Sequence, residues 1–495
     1  MAFIVLCVLR PASLRALPLE RNTAGPLQVQ RVRTDEIAFA FQHAWRGYSE
    51  HCFGHDTLYP VSNDCEDDYA GYGATAIDSL PTAIIFGNKS VAVQILDFIA
   101  TLDFRLVKGG TRIQVFEVTI RHLAAIISAW DLLEGPSSHV VISPNLRHAL
   151  YVQMTRLGDI LSCAFATPSG VPRNRVDPAS CQTDNDPHNS TAGAGTMILE
   201  FARLSDITGN QTYANLAQVA EQYLLSPQPS SSEPYPGLLG SFIGVETGEL
   251  VGSKGSWGAF ADSFYEYLLK AYLYNSDRFG FCLERWLIAA DSTIRFIGSH
   301  PYGHPNWTLL PIWGRYNFAK LHEITVLTLV DYGLSIADAA GAAYRSTATG
   351  LGGEILSWTT ACDDSASEAC DLDGSIRISD ARFRLRPEVL DTLYHAYRAT
   401  KHPEYRDWSW AAFEAIERYC RTETGYSSII DVDSPEGGGK SDVQESFMFA
   451  EVMKYAFLIQ LEDAPFHVQD ARKGSKNTWV FDTDAHPFRI VGLPR

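Results

Sequence analysis

The stretch Leu204-Ser-Asp-Ile-Thr-Gly-Asn-Gln-Thr-Tyr213 connects two helical segments, and Tyr397-Arg-Ala-Thr-Lys-His-Pro-Glu-Tyr405 has the same design. In each stretch a helix ends in a short polar turn, and a tyrosine opens the next helix. A single pair of such helices cannot bury its apolar side without neighbouring pairs. The repeat therefore predicts an α/α barrel, in which helix hairpins are arranged in a ring.

Helical periodicity dominates the chain around these two turns. Between Phe116 and Trp130, for example, apolar residues recur at intervals of three and four. We predict helices over 113–133, 145–165, 196–208, 212–225, 260–274, 388–400, 408–422 and 444–461. The best strand pattern runs from Trp479 to Val491, after the last of these helices. The predicted fold class is thus dominated by α-helix, with a small β segment at the C-terminal end.

Charge and motifs exclude several classes of function. Of 495 residues, 58 are acidic and 40 are basic, which gives a net charge of −18. Nucleic-acid binding relies on an excess of Lys and Arg, so we predict no nucleic-acid partner. The chain contains no Gly-rich phosphate loop, no His-Glu-x-x-His pair and no Gly-x-Ser-x-Gly motif.

The organisation of the chain indicates one domain after a short leader. The apolar run from Met1 to Leu9 is too short to span a bilayer. We interpret residues 1–35 as a degenerate signal or anchor with a stem, and residues 36–495 as one catalytic domain, because no linker divides them. Four Asn-x-Ser/Thr sequons are consistent with a secretory glycoprotein: Asn88, Asn189, Asn210 and Asn306.

The nine cysteines show neither a disulfide framework nor the spacing of a metal finger. Cys362 and Cys370 share a Ser/Asp/Gly-rich stretch and are able to close a small loop. Cys420 ends an amphipathic segment and is predicted to be a buried free thiol.

Two pairs of charged residues stand in helical segments at a spacing of four residues. Glu117 precedes Arg121 by four, which puts both on one side of a helix, and a simple helical salt bridge explains this equally well. Asp262 and Glu266 share the same spacing among aromatic and apolar neighbours. Two like charges on one helix side repel unless something stabilises them, so this pair is a candidate site.

Further acids stand at predicted helix starts. Glu388 follows Arg386-Pro387, with Asp391 one turn later, and Glu445 opens the last helical segment. Compensation of the helix dipole explains each of them individually. In a ring of paired helices, however, acids at helix starts collect at one rim. Glycoside hydrolysis needs such an arrangement, with one carboxyl to protonate the leaving oxygen and another to activate water.

At these residues the chain resembles the class I α-1,2-mannosidases, glycoside hydrolase family 47. The matching motifs follow one another in order along almost the whole sequence, which makes their joint occurrence highly specific. They are Gly54-His-Asp-Thr-Leu-Tyr-Pro60, Gly71-Tyr-Gly-Ala-Thr-Ala-Ile-Asp-Ser-Leu80, Phe116-Glu-Val-Thr-Ile-Arg121, Gly170-Val-Pro-Arg-Asn174, Leu199-Glu-Phe201, Asp262-Ser-Phe-Tyr-Glu-Tyr-Leu-Leu-Lys270, Leu385-Arg-Pro-Glu388, Glu445-Ser-Phe447 and Thr483-Asp-Ala-His-Pro487.

The resemblance implies an (α/α)7 barrel whose C-terminal β-hairpin plugs the bore. It implies a Ca²⁺ cofactor held by Thr483, and inverting release of terminal α-1,2-linked mannose from high-mannose N-glycans. Glu388 matches the general base. Glu117 matches the proposed acid, with Asp262 as its partner or as the alternative acid.

The resemblance also implies a set of substrate-binding residues: Arg121, Glu266, Glu354, Arg386, Asp391 and Glu445. Among these, Arg121 and Arg386 orient the carboxylates, and Glu445 binds the waters of the calcium ion and the sugar. A monomer in the lumen of the endoplasmic reticulum or Golgi, or a secreted one, is expected.

Some positions depart from the family pattern. The usual glutamates are Asp484 and Asp391 here, and Phe260 stands where some members carry Arg. The region 316–351 is shortened, and Ala340 replaces a cysteine of the family disulfide. An alternative function is therefore a catalytically impaired, mannosidase-like lectin of glycoprotein quality control, although all the proposed catalytic carboxylates are retained.

Overall fold

The computed structural model describes residues 26–140, 142–314, 329–360, 376–468 and 477–492. The helices are α1 (Pro26–His51), α2 (Ala74–Ile85), α3 (Lys89–Thr101), α4 (Val115–Glu117), α5 (Ala124–Glu134), α6 (Pro144–Ser162), α7 (Thr191–Gly195), α8 (Ile198–Thr208), α9 (Thr212–Leu225), α10 (Asp262–Tyr274), α11 (Gly280–Ser292), α12 (Leu329–Arg345), α13 (Glu388–Thr400), α14 (Pro403–Tyr419) and α15 (Met453–Gln460). Wider, π-helical turns cover Val118–Leu123, Thr293–Ile297 and Met448–Val452, and single 3₁₀ turns cover Cys163–Phe165 and Ser230–Ser232.

The described strands form antiparallel pairs of two strands each. They are β1 (Thr57–Tyr59) with β2 (Asp64–Glu66), β3 (Ile113–Gln114) with β4 (Arg175–Val176), β5 (His188–Ser190) with β6 (Phe242–Gly244), β7 (Ile355–Trp358) with β8 (Ile376–Asp380), and β9 (Trp479–Phe481) with β10 (Pro487–Arg489). The pairs are small and separate, so the helices supply the architecture.

The helices pack as a ring of pairs. Along the inner side, α2 contacts α5, α5 contacts α8, and α8 contacts α10, while α13 contacts α15. All of these helices except α15 have an outer partner next to them in sequence: α3 on α2, α6 on α5, α9 on α8, α11 on α10 and α14 on α13. Helix α1 packs on α15, which brings the two ends of the described helical chain together. The predicted ring of helix hairpins is confirmed.

The tyrosine that opens the second helix of each quoted pair ties it to the neighbouring pair. The Tyr213 hydroxyl donates to Asp159 of α6 over 2.6 Å, and the Tyr405 hydroxyl donates to Asp338 of α12 over 3.0 Å. Both tyrosine side chains are buried. Gly209, between α8 and α9, has a φ of 77°, a left-handed conformation that glycine adopts without strain.

Predicted helix bounds agree with the structure for α9 and α13, and differ elsewhere for local reasons. Helix α14 begins at Pro403, not at residue 408, because proline favours the first turn of a helix. The prediction wrongly assigns this proline to the preceding loop. Helix α10 begins at Asp262, because Phe260 has a φ of 76° and cannot continue a right-handed helix. Ile113 and Gln114 belong to β3 rather than to a helix.

The predicted C-terminal strand segment forms the hairpin β9–β10. Strand β9 packs on α10 and β10 packs on α5. From α15, the ammonium group of Lys454 donates to the Ala485 carbonyl over 2.7 Å, and the Ser128 hydroxyl of α5 donates to the Pro487 carbonyl over 2.9 Å. Since helices from different parts of the ring hold the hairpin, its turn at residues 482–486 lies inside the ring.

Two disulfide bonds join Cys52 to Cys65 and Cys163 to Cys181. The expectation that the cysteines form no disulfide framework is therefore wrong. Each bond joins the end of a helical segment to a later part of the chain, Cys65 in strand β2 and Cys181 in a loop, and cysteine spacing alone does not reveal this proximity. Cys420 is a buried free thiol, as predicted.

One sequon is structural. Asn189 is 5% exposed, its amide donates to the Pro172 carbonyl, and its carbonyl oxygen accepts from the Ser190 amide. Its side chain is thus not available to a glycosyltransferase in the folded protein, whereas Asn210 and Asn306 are exposed. Among the described helices, none combines the length and the hydropathy of a membrane-spanning segment.

Some predictions fall partly or wholly outside the described residues. These are the leader up to residue 25, the pair Cys362 and Cys370, and the shortened segment at 321–326. Helix α1 runs without a break across residues 35 and 36, so the predicted boundary between leader and domain falls inside a helix.

Candidate active site

A cavity of about 410 Å³ opens at the turn of the β9–β10 hairpin. Seven of the predicted site residues line it: Glu117, Arg121, Asp262, Glu266, Arg386, Glu388 and Thr483. Residues that stand far apart in sequence thus meet in one place. The other three, Glu354, Asp391 and Glu445, are not among its lining residues.

Glu117 and Arg121 are joined as the spacing of four predicts. Arg121 Nε lies 3.0 Å from Glu117 Oε2, and Arg121 Nη1 lies 3.1 Å from Asp484 Oδ1 in the hairpin turn. Arg121 belongs to the π-helical turn Val118–Leu123, a local deformation that is common at functional sites. Glu117 and Arg121 therefore form the salt bridge and also line the cavity. The Arg121 guanidinium connects this helical turn to the turn of the β9–β10 hairpin.

The acidic pair Asp262 and Glu266 is stabilised by two partners of Glu266. The Lys270 ammonium donates to Glu266 Oε1, and the Thr483 hydroxyl donates to Glu266 Oε2 over 2.8 Å. Burial raises the pKa of Asp262, and the nearby Glu266 carboxylate contributes to the increase, against hydrogen bonding from the Ser263 amide. Asp262 is thus biased towards its protonated form.

Glu388 is the first residue of α13. Its side chain is exposed to the cavity. The protein atoms around the cavity nevertheless remove most of the surrounding solvent, and this desolvation raises the pKa of Glu388. The Arg386 guanidinium opposes the increase, while Glu354 and Asp262 add to it. Arg386 Nε lies 3.1 Å from Glu354 Oε2, so Glu354 contacts Arg386 and holds it in position.

Asp391 and Glu445 flank the cavity without lining it. Asp391 is 4% exposed and its carboxylate lies 3.3 Å from His395 Nε2. Burial alone would raise the pKa of Asp391, but His395 outweighs it and holds this pKa below its ordinary value. Burial raises the pKa of Glu445, against the attraction of Arg121 and Arg386. Glu445 therefore lies near both arginines.

The structure places Glu451 in the cavity wall, a residue that sequence reasoning missed. It belongs to the π-helical turn Met448–Val452 and is 5% exposed. Burial raises its pKa well above the ordinary value, and a hydrogen bond with the Asp484 carboxyl adds to the increase. The available signal is an acid inside the apolar segment Phe447-Met-Phe-Ala-Glu-Val452, because acids are seldom fully buried without a partner.

A buried group with metal-ligand chemistry lies beneath the cavity. Atoms of Asp78, Asp484 and His486 lie within 4.8 Å of one another. The Asp78 and Asp484 carboxylates already face the Arg121 guanidinium at 3.6 and 3.1 Å, and His486 Nε2 lies 2.9 Å from Asp78 Oδ1. The arginine supplies the positive charge here, so the group is well suited to hold the hairpin turn.

The open part of the cavity has a different donor set. Six carboxylates and three guanidinium groups line it, and Thr483 adds a hydroxyl: the acids are Glu117, Asp262, Glu266, Glu388, Glu451 and Asp484, and the bases are Arg121, Arg173 and Arg386. Among its described lining residues there is no His or Cys. Oxygen donors with a net negative charge suit a hard cation, and carboxyl groups on separate helices suit acid–base chemistry at a sugar linkage.

Comparison with known proteins agrees with this geometry. The model of glycosyl hydrolase family 47 matches residues 40–490. A probable mannosyl-oligosaccharide α-1,2-mannosidase 1B of Aspergillus niger is 43% identical over 92% of this chain and 91% of its own length. A mannosyl-oligosaccharide α-1,2-mannosidase of Penicillium citrinum is 43% identical, over 93% and 92%. The solved structure of an α-1,2-mannosidase from Trichoderma reesei superposes with a TM-score of 0.86 at 37% identity, covering 93% of this chain and 99% of that one. The predicted (α/α)7 barrel is confirmed.

Proposed function

The chain belongs to glycosyl hydrolase family 47, and we propose that it is an inverting, calcium-dependent α-1,2-mannosidase acting on high-mannose N-glycans. The observation that carries the proposal is the convergence of Glu117, Asp262 and Glu388 on one cavity at the hairpin turn. All three carboxyl groups are retained, which favours an enzyme over a lectin of the same fold.

We assign the base to Glu388. In an inverting reaction the base takes a proton from a water molecule, which attacks the anomeric carbon on the side opposite the leaving oxygen. Arg386, fixed by Glu354, lies beside Glu388 and favours the carboxylate that a base requires. Phe447 packs under the same guanidinium at 5.6 Å and restrains it further.

We assign the acid to Glu117, with Asp262 as the alternative. The acid donates its proton to the leaving oxygen of the second sugar. Glu117 is 25% exposed and is held by Arg121, so it is reachable and oriented. Asp262 has the raised pKa expected of a proton donor at neutral pH.

We place the calcium site at Thr483, where the donor chemistry of the cavity fits a hard cation. Glu266 fixes the threonine hydroxyl, and the acids around it are able to hold water molecules of the ion. When bound, calcium supplies a positive charge and coordination positions for sugar hydroxyls. Glu266, Glu451, Thr483 and Arg386 line the same cavity and would contact the sugar ring there.

We propose that the protein acts as a monomer in the secretory pathway or after secretion. Two disulfide bonds fit an oxidising compartment. We further propose that residues 36–495 act as one catalytic domain.

One assay tests the proposed function. Purified protein is incubated with a high-mannose N-glycan, either in calcium or after exhaustive chelation, and free mannose is measured. We expect release in calcium only, and proton NMR of the first product should show β-mannose. Release of α-mannose would contradict inversion, full activity after chelation would contradict the calcium site, and glycan binding without any release would favour the lectin.

A further inference from the structure

A second cavity, of about 460 Å³, lies beside the first. Three basic and three acidic side chains line it: Lys108, Arg112, Arg175, Asp67, Asp68 and Asp184. No step of the proposed reaction uses them. Its lining is far more polar than that of a cavity for an apolar ligand, so it is built for a polar molecule.

The two cavities share a wall. Gln114 lines both of them. In the β3–β4 ribbon Ile113 is buried and Gln114 is exposed, and Gln114 stands opposite Arg175. The ribbon thus forms a ridge between the cavities. Glu117, the proposed acid, follows Gln114 by three residues and lines the first cavity.

A tyrosine joins the cavities at a second point. Tyr69 lines the second cavity, and its ring lies 5.2 Å from the guanidinium of Arg121, which lines the first. A ligand that extends beyond the first cavity over the Gln114 ridge therefore reaches the second one directly.

Several polar atoms of the second cavity are available for a ligand. In the described part of the chain, neither Arg112 nor Arg175 has an acidic partner within ion-pair distance. Asp184 Oδ2 is buried and has no hydrogen-bond partner there. Native proteins seldom leave a buried carboxylate oxygen unpaired, so an external donor is expected at this position.

The charge pattern selects a neutral, hydroxyl-rich ligand. Of the remaining charged groups, Asp67 lies 3.0 Å from His55, Asp68 accepts from the Thr57 hydroxyl, and Lys108 donates to the Gly54 carbonyl. An anion would meet three carboxylates, and a cation three basic groups. A sugar hydroxyl both donates and accepts, and therefore matches guanidinium and carboxylate groups side by side.

We propose that the second cavity is a saccharide subsite that binds a neighbouring branch of the glycan whose terminal mannose occupies the first cavity. The inference rests on the proposed function and adds a determinant of substrate selection to it. Arg112, Arg175 and Asp184 bind hydroxyls of the branch and take no part in bond cleavage. The subsite increases the affinity for a branched glycan over that for a disaccharide, which is too small to cross the ridge.

The test compares two substrates, α-1,2-mannobiose and a branched high-mannose glycan. For the double variant Arg112→Ala/Arg175→Ala we expect kcat/KM on the branched glycan to fall about 10-fold, mainly through KM, because charge-assisted hydrogen bonds to the branch are lost. Its kcat/KM on mannobiose should stay within about twofold of the wild type, because the first cavity is unchanged.

Arg295→Ala is the matched control, since Arg295 is an exposed arginine of the outer surface that pairs with Asp291. The thermal midpoint of each variant is measured first, and kinetics are compared only for variants whose midpoint equals that of the wild type. If the double variant does not fold, the isosteric Asp184→Asn replaces it. Equal loss on both substrates, or no loss on the branched glycan, overturns the subsite. Wild-type protein that releases mannose from neither substrate contradicts the proposed function instead, so the two failures are distinguishable.

Discussion

The Tyr267 hydroxyl accepts a hydrogen bond from the backbone amide of Thr483 over 3.1 Å. The same hydroxyl donates to Glu200 Oε1 over 2.5 Å, so its donor and acceptor roles are both used. Lys270, one turn further along α10, donates to the Asp482 carbonyl over 2.8 Å. Helix α10 therefore fixes both the backbone and the side chain of the turn residue that we assign to calcium.

This contact predicts that Tyr267→Phe weakens calcium binding. Without the hydroxyl, the Thr483 amide loses its acceptor, and the turn gains freedom that binding must then restrict. A ligand that binds only the folded state raises the melting temperature, so the calcium-induced shift measures affinity. At one fixed, non-saturating calcium concentration we expect a clearly smaller shift for Tyr267→Phe than for the wild type.

Tyr265→Phe is the control for this prediction. Tyr265 is also buried in α10, and its hydroxyl accepts from the Leu239 amide over 2.8 Å, away from the hairpin turn. Its removal should lower the melting temperature but leave the calcium-induced shift unchanged. Equal loss of the shift in both variants would mean that general destabilisation is responsible, and the assignment to Thr483 would lose this support.

Glu388→Gln tests the base. The substitution keeps the shape of the side chain and removes the proton acceptor, so we expect kcat to fall by roughly 10²–10⁴-fold. Binding of the glycan, measured by calorimetry, should remain. Glu414→Gln, an exposed change on α14, is the control and should have no effect on kcat. Normal turnover by Glu388→Gln would refute the assignment.

The pH profile follows from the environment of Glu388. Burial raises its pKa above the ordinary 4.5, and the base works only when ionised, so kcat/KM should decline as the pH falls through this raised pKa. Arg386 lowers the pKa of Glu388, whereas Glu354 and Asp262 raise it. Arg386→Gln removes the lowering influence, and the acid limb should move to higher pH. A limb that moves to lower pH would contradict the assignment.

Fluoride as a leaving group distinguishes Glu117 from Asp262 as the acid. Departure of fluoride needs no protonation by a general acid, so α-mannosyl fluoride restores the rate of a variant that lacks only the acid. We expect Glu117→Gln to be nearly inactive on the disaccharide and much less impaired on the fluoride. Asp262→Asn should be impaired on both. The reverse pattern would assign the acid to Asp262.

The ring of helix pairs was predictable because its signal is local. Polar turns such as those before Tyr213 and Tyr405 recur, and each helix pattern follows from its own residues. Helix α2 escaped prediction because nearly all its residues are buried, so it lacks the polar side that creates a helical period. The proline within it, Pro81, also reads as a helix breaker.

The site was predictable only in part, because contact between distant segments has no local signal. The spacing of four joins Glu117 to Arg121, but nothing in the sequence joins Arg121 to Asp484. The π-helical turn at Met448–Val452 brings Glu451 into the cavity wall, whereas Glu445, the residue expected from the motif, remains outside it. An extra residue in a helical turn changes which side chains point inward, and a regular period does not anticipate it.

An acid outside the site illustrates how burial affects stability. Glu221 of α9 is 1% exposed, and one of its carboxylate oxygens has no hydrogen-bond partner within the described residues. The other oxygen lies 3.4 Å from the Cys282 thiol of α11. Burial raises the pKa of Glu221 to about 7 from an ordinary 4.5, with only the thiol hydrogen bond opposing it.

Glu221→Gln should therefore stabilise the protein at neutral and higher pH. Below about pH 4.5 the Glu221 carboxyl is protonated in both the folded and the unfolded chain, so ionisation does not reduce the stability of the wild type. Between 4.5 and about 7 only the unfolded chain ionises, so wild-type stability falls with rising pH and then levels off, by on the order of 3 kcal/mol in total. Glutamine stays neutral throughout, and the difference in free energy of unfolding between variant and wild type, measured in denaturant at pH 5 and pH 8, should be larger at pH 8. Glu414→Gln, at an exposed position, is the control, and its difference in free energy of unfolding from the wild type should be the same at pH 5 and pH 8. A difference that is the same at both pH values would mean that Glu221 ionises normally in the folded protein.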